Sequence, residues 1–146
     1  MRAATDRSRR ATLAHAVLRT LFALLLGAGA AGKLAEMPGF LAIVESYRVL
    51  PAPLVPAAGW LLALAEAALA GVLATGWWPQ LAAAGVVALH GAYFAWVLAA
   101  LARGLELANC GCFGVYFARP LGWNTALEDA VLLALAVALY RLAPRR

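Results

Sequence analysis

Four stretches of about 20 mostly apolar residues constrain the fold of this chain more than any other feature. They cover residues 16–35, 57–76, 81–102 and 125–142. Each is long enough to cross the hydrocarbon core of a bilayer as a helix, and a segment in lipid must satisfy its backbone hydrogen bonds internally. The sequence therefore predicts an all-α fold, an integral membrane four-helix bundle.

The composition supports this prediction. The chain is 65% hydrophobic and 13% charged, whereas soluble domains are about 45–50% apolar and about 25% charged. A secretory signal peptide is an alternative for residues 1–32, because Arg9-Arg10 precede an apolar run. The run continues to Lys33 without a clear cleavage site, however, and three more spans follow. We therefore predict a single membrane domain over residues 1–146.

The basic residues predict the orientation, because cytoplasmic segments carry an excess of Lys and Arg. With both termini in the cytoplasm, eight basic residues lie inside and four outside. The inner set is Arg2, Arg7, Arg9, Arg10, Arg19, Arg141, Arg145 and Arg146, and the outer set is Lys33, Arg48, Arg103 and Arg119. We predict a multi-pass, N-in/C-in protein of the bacterial inner (cytoplasmic) membrane with a basic tail at residues 1–12. Clustering of arginines at the termini argues against nucleic-acid binding.

Two segments would then face the outside, residues 36–56 and 103–124. The first carries apolar side chains at helical spacing before a proline, which predicts a short helix lying on the membrane surface; these side chains are Phe40, Ile43, Val44 and Tyr47. Charged residues at the outer span ends could form a ring beneath the second segment; they are Lys33, Glu36, Arg103, Glu128 and Asp129. Within the first span, Gly27, Gly29 and Gly32 are small enough to let helices pack closely.

The second outer segment holds the two cysteines of the chain, Cys110 and Cys112, separated by Gly111. Thiols outside the cytoplasm tend to be oxidised, and Gly111 gives the backbone the freedom that so small a disulfide ring needs. Strained or exposed disulfides are typically the labile or catalytic ones. The pair therefore favours thiol–disulfide exchange. Arg103 is the nearest cation in sequence, and a cation close to a thiol lowers its pKa. Extension of the Arg103 and Lys33 side chains to the membrane interface is an equally simple interpretation.

Two other interpretations of the pair stay open. An inert structural bridge is one, although a bridge across a single residue removes little chain entropy. Binding of a soft ion such as Cu(I) is the other. Neither outer segment contains a histidine to complete a metal site. We therefore predict no metal site.

Glu66 and His90 lie near the centres of the second and third spans, each about 18 Å from the intervening turn at a rise of about 1.5 Å per residue. Ionisable groups at such depth usually face the bundle interior and pair. We therefore predict a direct Glu66–His90 contact inside the bundle. It could serve as a proton relay, as a contact for a quinone head group, or as structural glue between helices.

Several features in order resemble the MauE family, a four-helix group within the DoxX-like membrane proteins. They are Gly32-Lys33, Phe40 and Tyr47 before Leu50-Pro51, Glu66 followed by Gly71, Arg103-Gly104, and Cys110-Gly111-Cys112-Phe113-Gly114. The resemblance implies a role in methylamine utilisation, through maturation of the disulfide-rich small subunit of methylamine dehydrogenase. It also implies a thioredoxin-like partner outside the cytoplasm, which must be a separate protein.

These observations favour a membrane thiol–disulfide relay, a candidate oxidoreductase in which Cys110 and Cys112 react. The expected supporting residues are Gly111, Phe113, Gly114, Arg103, Glu66, His90 and Lys33. A membrane quinone is a candidate cofactor. The alternatives are a non-enzymatic scaffold or chaperone of a maturation complex, and a small transporter that uses Glu66 and His90. The direction of electron flow and the oligomeric state stay open.

Overall fold

The computed structural model describes the backbone of residues 2–144 and, apart from residues 2–5, 7 and 8, their side chains. This part of the chain forms five α-helices and no strand, which confirms the all-α prediction. The helices are α1 (Arg2–Ala35), α2 (Met37–Ser46), α3 (Val55–Thr75), α4 (Pro79–Ala102) and α5 (Trp123–Leu142). A turn of 3-10 helix, Ala52–Leu54, leads into α3.

Three segments of the described chain are long and apolar enough to cross a membrane: Arg9–Ala35, Ala52–Thr75 and Pro79–Ala102. The fourth predicted span does form a helix, α5, but this helix lies outside that set. It carries Glu128 and Asp129 in its second turn and Arg141 in its last. The count of four spans and the N-in/C-in orientation therefore stay predictions.

Local sequence sets the helix ends. Gly76 ends α3 in the left-handed conformation at φ 74°, which glycine adopts without steric cost. Pro79 then begins α4, at the position where its missing N–H costs nothing. The turn between them is only three residues long, so α3 and α4 run antiparallel. At the other end of the molecule, the Glu36 carboxylate accepts a hydrogen bond from Gly39 N at 2.7 Å and caps the predicted short helix α2.

The helices pack as two close pairs, α1 with α3 and α4 with α5. A core around Phe22, Leu73, Val86 and Leu139 fills the half of the bundle near the α3–α4 turn. Residues 103–122 form a loop that covers the opposite end, over a second cluster that includes Tyr47, Val97 and Leu121. α1 is longer than its predicted span, because the helix continues through the basic tail, where Arg10 pairs with Asp6 at 2.8 Å.

Candidate redox site at the loop end of the bundle

The two cysteines lie side by side in the loop that covers the bundle. Their Sγ atoms are 2.9 Å apart and both residues are free thiols. Cys112 is exposed, whereas Cys110 is half-buried. The side chains are thus close enough to exchange a proton, and a small movement would bring them to bonding distance.

A tight backbone turn holds the sulfurs together. Gly111 and Gly114 have φ angles of 78° and 67°, in the left-handed region that favours glycine. The Asn109 side chain braces the turn twice. Its Oδ1 accepts from Gly111 N at 2.9 Å, and its Nδ2 donates to the Gly114 carbonyl oxygen at 3.0 Å. Sequence reasoning missed Asn109, although an Asn two residues before a glycine is a recognisable turn signal.

The carbonyl groups of both cysteines are anchored to helices. Tyr47 Oη donates to the Cys110 carbonyl oxygen at 2.9 Å, and Lys33 Nζ donates to the Cys112 carbonyl oxygen at 2.6 Å. Cys110 N donates in turn to the Arg119 carbonyl oxygen at 2.8 Å. The cysteine turn is therefore held by α1, by the residue that ends α2 and by the later part of the same loop at Arg119.

Two glycines of α1 make room for the cysteine loop. A Cβ on Gly32 would overlap the Phe113 carbonyl oxygen, and a Cβ on Gly29 would lie 3.3 Å from the Cys112 carbonyl oxygen. Gly27 and Gly29 also face α3, since a Cβ on Gly27 would lie 3.8 Å from Ala70 Cβ and a Cβ on Gly29 would lie 3.3 Å from Glu66 Oε2. The small residues of the first span therefore make room for the cysteine loop as well as for the packing of α1 against α3.

A buried ion pair lies directly beneath the loop. Lys33 Nζ is 2.7 Å and 3.0 Å from the two Glu66 carboxylate oxygens, and Tyr93 Oη also donates to Glu66 Oε1. Lys33 is 1% exposed and Glu66 is 2% exposed. Because Lys33 also holds the Cys112 carbonyl group, one ammonium group joins the carboxylate of α3 to the cysteine loop.

The predicted direct Glu66–His90 contact is wrong. His90 is buried, as expected, but its Nδ1 lies 3.0 Å from the Val86 carbonyl oxygen of its own helix. Its ring packs edge-on against Phe22 and Tyr93, with centroids 5.0 Å and 6.1 Å away. Lys33 takes the place expected of His90, because α1 packs along α3 and brings the ammonium group to the carboxylate.

Arg103 does not act on the thiols as predicted. Its guanidinium group donates to the carbonyl oxygens of Tyr47 and Arg48, at 2.9 Å and 3.2 Å, and so holds the end of α2 against the end of α4. The cation that lowers the Cys110 pKa is Arg119. Arg119 itself is held by an ion pair with Glu128.

The two thiols differ in acidity. The hydrogen bond from the Cys112 thiol lowers the pKa of Cys110 to about 6, assisted by the Cys112 backbone N–H and Arg119 and opposed by burial. The same sulfur–sulfur hydrogen bond, together with burial, raises the pKa of Cys112. Cys110 is therefore the thiolate at neutral pH, and a thiolate is the form that attacks disulfides and leaves from them.

An apolar cavity of about 430 Å³ adjoins the cysteines, between α2, α3 and α4. Asp129 of α5 also lines it and is 7% exposed, and its Oδ2 makes no hydrogen bond within the described part of the chain. Of the predicted charged ring, only Lys33 and Asp129 reach this cavity. Glu36 caps α2 and Glu128 pairs with Arg119.

Comparisons with known proteins agree with these features. The profile described as Methylamine utilisation protein MauE matches residues 11–142. The chain is 34% identical over 122 residues to a Methylamine utilization protein MauE of Paracoccus denitrificans, covering 84% of this chain and 66% of that protein. It is 31% identical over 132 residues to the MauE protein of Paracoccus versutus, covering 90% of this chain and 71% of that protein. It thus spans just under two thirds of the first relative's length. No solved structure matches the chain. A match over residues 11–142, together with these two relatives, shows that the chain belongs to the MauE family.

Proposed function

We propose that this protein is a membrane thiol–disulfide relay that oxidises thiols of proteins outside the cytoplasm. The observation that carries the proposal is the cysteine pair itself, with sulfurs 2.9 Å apart in a braced loop, one exposed and one half-buried. In the oxidised state, a client thiolate attacks Cys112 Sγ and a mixed disulfide forms. Cys110 leaves as the thiolate.

The acidity of Cys110 favours this direction. A disulfide breaks fastest when the departing thiol has a low pKa, and the pKa of Cys110 is lowered to about 6. A second client thiol then attacks the mixed disulfide and releases Cys112 as a thiol. The client gains one disulfide and loses two electrons and two protons. The Cys110–Cys112 pair gains both electrons and the proton of the Cys112 thiol, and the other proton goes to water because Cys110 stays a thiolate.

Family membership supports the setting of this chemistry. We place the chain in the bacterial inner membrane, with the cysteine loop on the outer face and a thioredoxin-like protein as its immediate client. Its contribution would be disulfide formation during maturation of extracytoplasmic proteins. In the family the named process is methylamine utilisation, so a disulfide-rich subunit of a methylamine-oxidising enzyme is the expected final client.

Single-cysteine variants test the relay in intact cells. In Cys110→Ser the exposed Cys112 should form a mixed disulfide by attacking the disulfide of the oxidised client, and this adduct should accumulate because Cys110 is absent and cannot attack Cys112 Sγ to release the client. Cys112→Ser should give far less adduct, and the double serine variant is the control that gives none. Cells are quenched with acid, free thiols are then alkylated, and mass spectrometry identifies the adduct.

The scaffold alternative predicts a different outcome. If the cysteines only brace the loop, all three variants keep client maturation and none forms an adduct. That result would overturn the proposed relay.

A further inference from the structure

The cavity beside the cysteines has the size and lining of a ligand site. Its volume of about 430 Å³ lies within the range of about 300–1,000 Å³ typical of small-molecule pockets, which are mostly apolar with a few convergent polar groups. Aromatic side chains form much of its wall, including Phe40 of α2, Tyr47 just after that helix, and Tyr93 and Trp96 of α4. Both cysteines contribute to the wall as well.

The cavity opens toward the apolar outside of the bundle. Leu61 of α3 lines it and is 72% exposed, and Ala92 of α4 lines it and is also exposed. Both residues lie within segments that are long and apolar enough to span a membrane. A ligand entering past them would come from lipid rather than from water.

The cysteine loop lies deep enough to meet such a ligand. Lys33 Nζ contacts both the Cys112 carbonyl oxygen and the carboxylate of Glu66. Glu66 is eleven residues along α3 from Val55, or about 16 Å at about 1.5 Å per residue. The loop is therefore recessed to within one side-chain contact of the middle of α3.

Asp129 is independent evidence that a polar group of a ligand binds in this cavity. Its side chain is 7% exposed and lines the same cavity, yet Oδ2 has no hydrogen-bond partner among residues 2–144. A buried oxygen without a partner is costly, and in native structures it calls for an explanation. A ligand hydroxyl group in the cavity would donate to the carboxylate, and a ligand carbonyl oxygen would accept from the protonated carboxyl group.

We propose that this cavity binds a membrane quinone that reoxidises the Cys110–Cys112 dithiol, a step that rests on the relay proposed above. The S–S bond forms between the two Sγ atoms as the Cys110 thiolate and the Cys112 thiol give up two electrons and one proton. The quinone takes up both electrons, this proton and a second proton from water, and becomes a hydroquinone. The protonated Asp129 carboxyl group donates a hydrogen bond to the quinone oxygen and passes one of the protons to it.

The test uses the full-length chain in phosphatidylcholine nanodiscs, reduced, desalted and kept anaerobic. Decylubiquinone is added, and quinone absorbance and free thiols are followed together. We expect one quinone to be reduced per chain as both thiols disappear. The double variant Cys110→Ser/Cys112→Ser is the negative control, in which no quinone should be reduced.

A bulky side chain at the cavity mouth provides a second measurement. Ala92→Trp should slow quinone reduction by about tenfold or more, because the ligand must displace the new ring. Ala95→Trp is the matched control, since Ala95 is also exposed on α4 but does not line the cavity. Asp129→Asn, which keeps the shape but cannot carry a proton, should slow the step by about 100-fold. Thermal unfolding and thiol counts verify that each variant is folded.

The outcomes separate the two proposals. If the wild-type disulfide form oxidises a reduced thioredoxin-like protein but the dithiol form leaves decylubiquinone unchanged, the quinone site is refuted and the relay stands. Equal rates for Ala92→Trp and Ala95→Trp would also refute the site. If the wild-type pair fails to exchange with the thioredoxin-like protein, the relay itself is refuted.

Discussion

Removing the Lys33 ammonium group should destabilise the protein and release the cysteine loop together. In Lys33→Met, the Glu66 carboxylate loses both short contacts, at 2.7 Å and 3.0 Å, while staying 2% exposed. Breaking a buried pair from one side costs about 3–5 kcal/mol, because a charge is left without compensation. The Cys112 carbonyl group also loses its 2.6 Å bond, which is worth about 1.5–3 kcal/mol for a charged donor.

The double variant Lys33→Met/Glu66→Leu separates these two effects. Replacing a buried ion pair by apolar side chains is often neutral or stabilising, so most of the loss from the buried charge should be recovered. The Cys112 carbonyl group stays without its donor, so a deficit of about 1.5–3 kcal/mol should persist. Denaturant unfolding in detergent measures the free energies, and the alkylation rate of the thiols reports loop order.

Two results would refute this account of Lys33. If Lys33→Met is as stable as the wild type, the ammonium group does not hold the carboxylate. If the double variant regains both full stability and wild-type thiol reactivity, Lys33 does not anchor the cysteine loop. Glu66→Gln is a useful comparison, because it leaves Lys33 bonded to Cys112 while weakening only the pair.

Two further predictions concern the loop itself. Gly32→Ala should destabilise the protein by about 1–3 kcal/mol, because the new methyl group meets the Phe113 carbonyl oxygen. Gly71→Ala is the control, because a methyl group there has open space, and it should be neutral or stabilise the protein by up to about 1 kcal/mol. Thermal unfolding measures both variants. Cys110 has a pKa of about 6, so its alkylation rate should be half-maximal near that pH and fall as protons are added. In Cys112→Ala, which has no side-chain donor, the midpoint should move up toward about 8.5, and an unchanged midpoint would contradict the role of the sulfur–sulfur hydrogen bond.

Helix positions could be predicted from the sequence because their signals are local. Apolar runs fix where α3 and α4 lie, and Gly76 and Pro79 fix where one ends and the next begins. The prediction of α2 also rested on local information, namely apolar spacing before a proline. α5 shows the limit of such signals, since its apolar run predicted a span although Glu128 and Asp129 lie in its second turn.

The partner of Glu66 could not be predicted, because its depth was compared only with that of His90, both counted from the turn that joins the second and third spans. Lys33 lies two residues from the end of α1, whereas Glu66 lies eleven residues from the start of α3. On level helices the two groups would be separated by about 14 Å along the bundle, and Lys33 was expected at the surface. Their contact shows that α1 ends well below the start of α3, a tertiary offset that no local pattern encodes.

That offset explains why the cysteine loop is recessed. The loop packs beside the last turns of α1, where Gly29 and Gly32 leave room for the backbone of Cys112 and Phe113. The sulfurs consequently lie between two surroundings, the exposed side of the loop at Cys112 and the apolar cavity between α2, α3 and α4. The proposed relay would need this position, since one cysteine pair would have to meet a water-soluble donor and a lipid-soluble acceptor in turn. Lengthening α1 by one helical turn, about 5.4 Å, should push the loop outward and uncouple the cysteines from the cavity, while leaving their exchange with a soluble thiol intact.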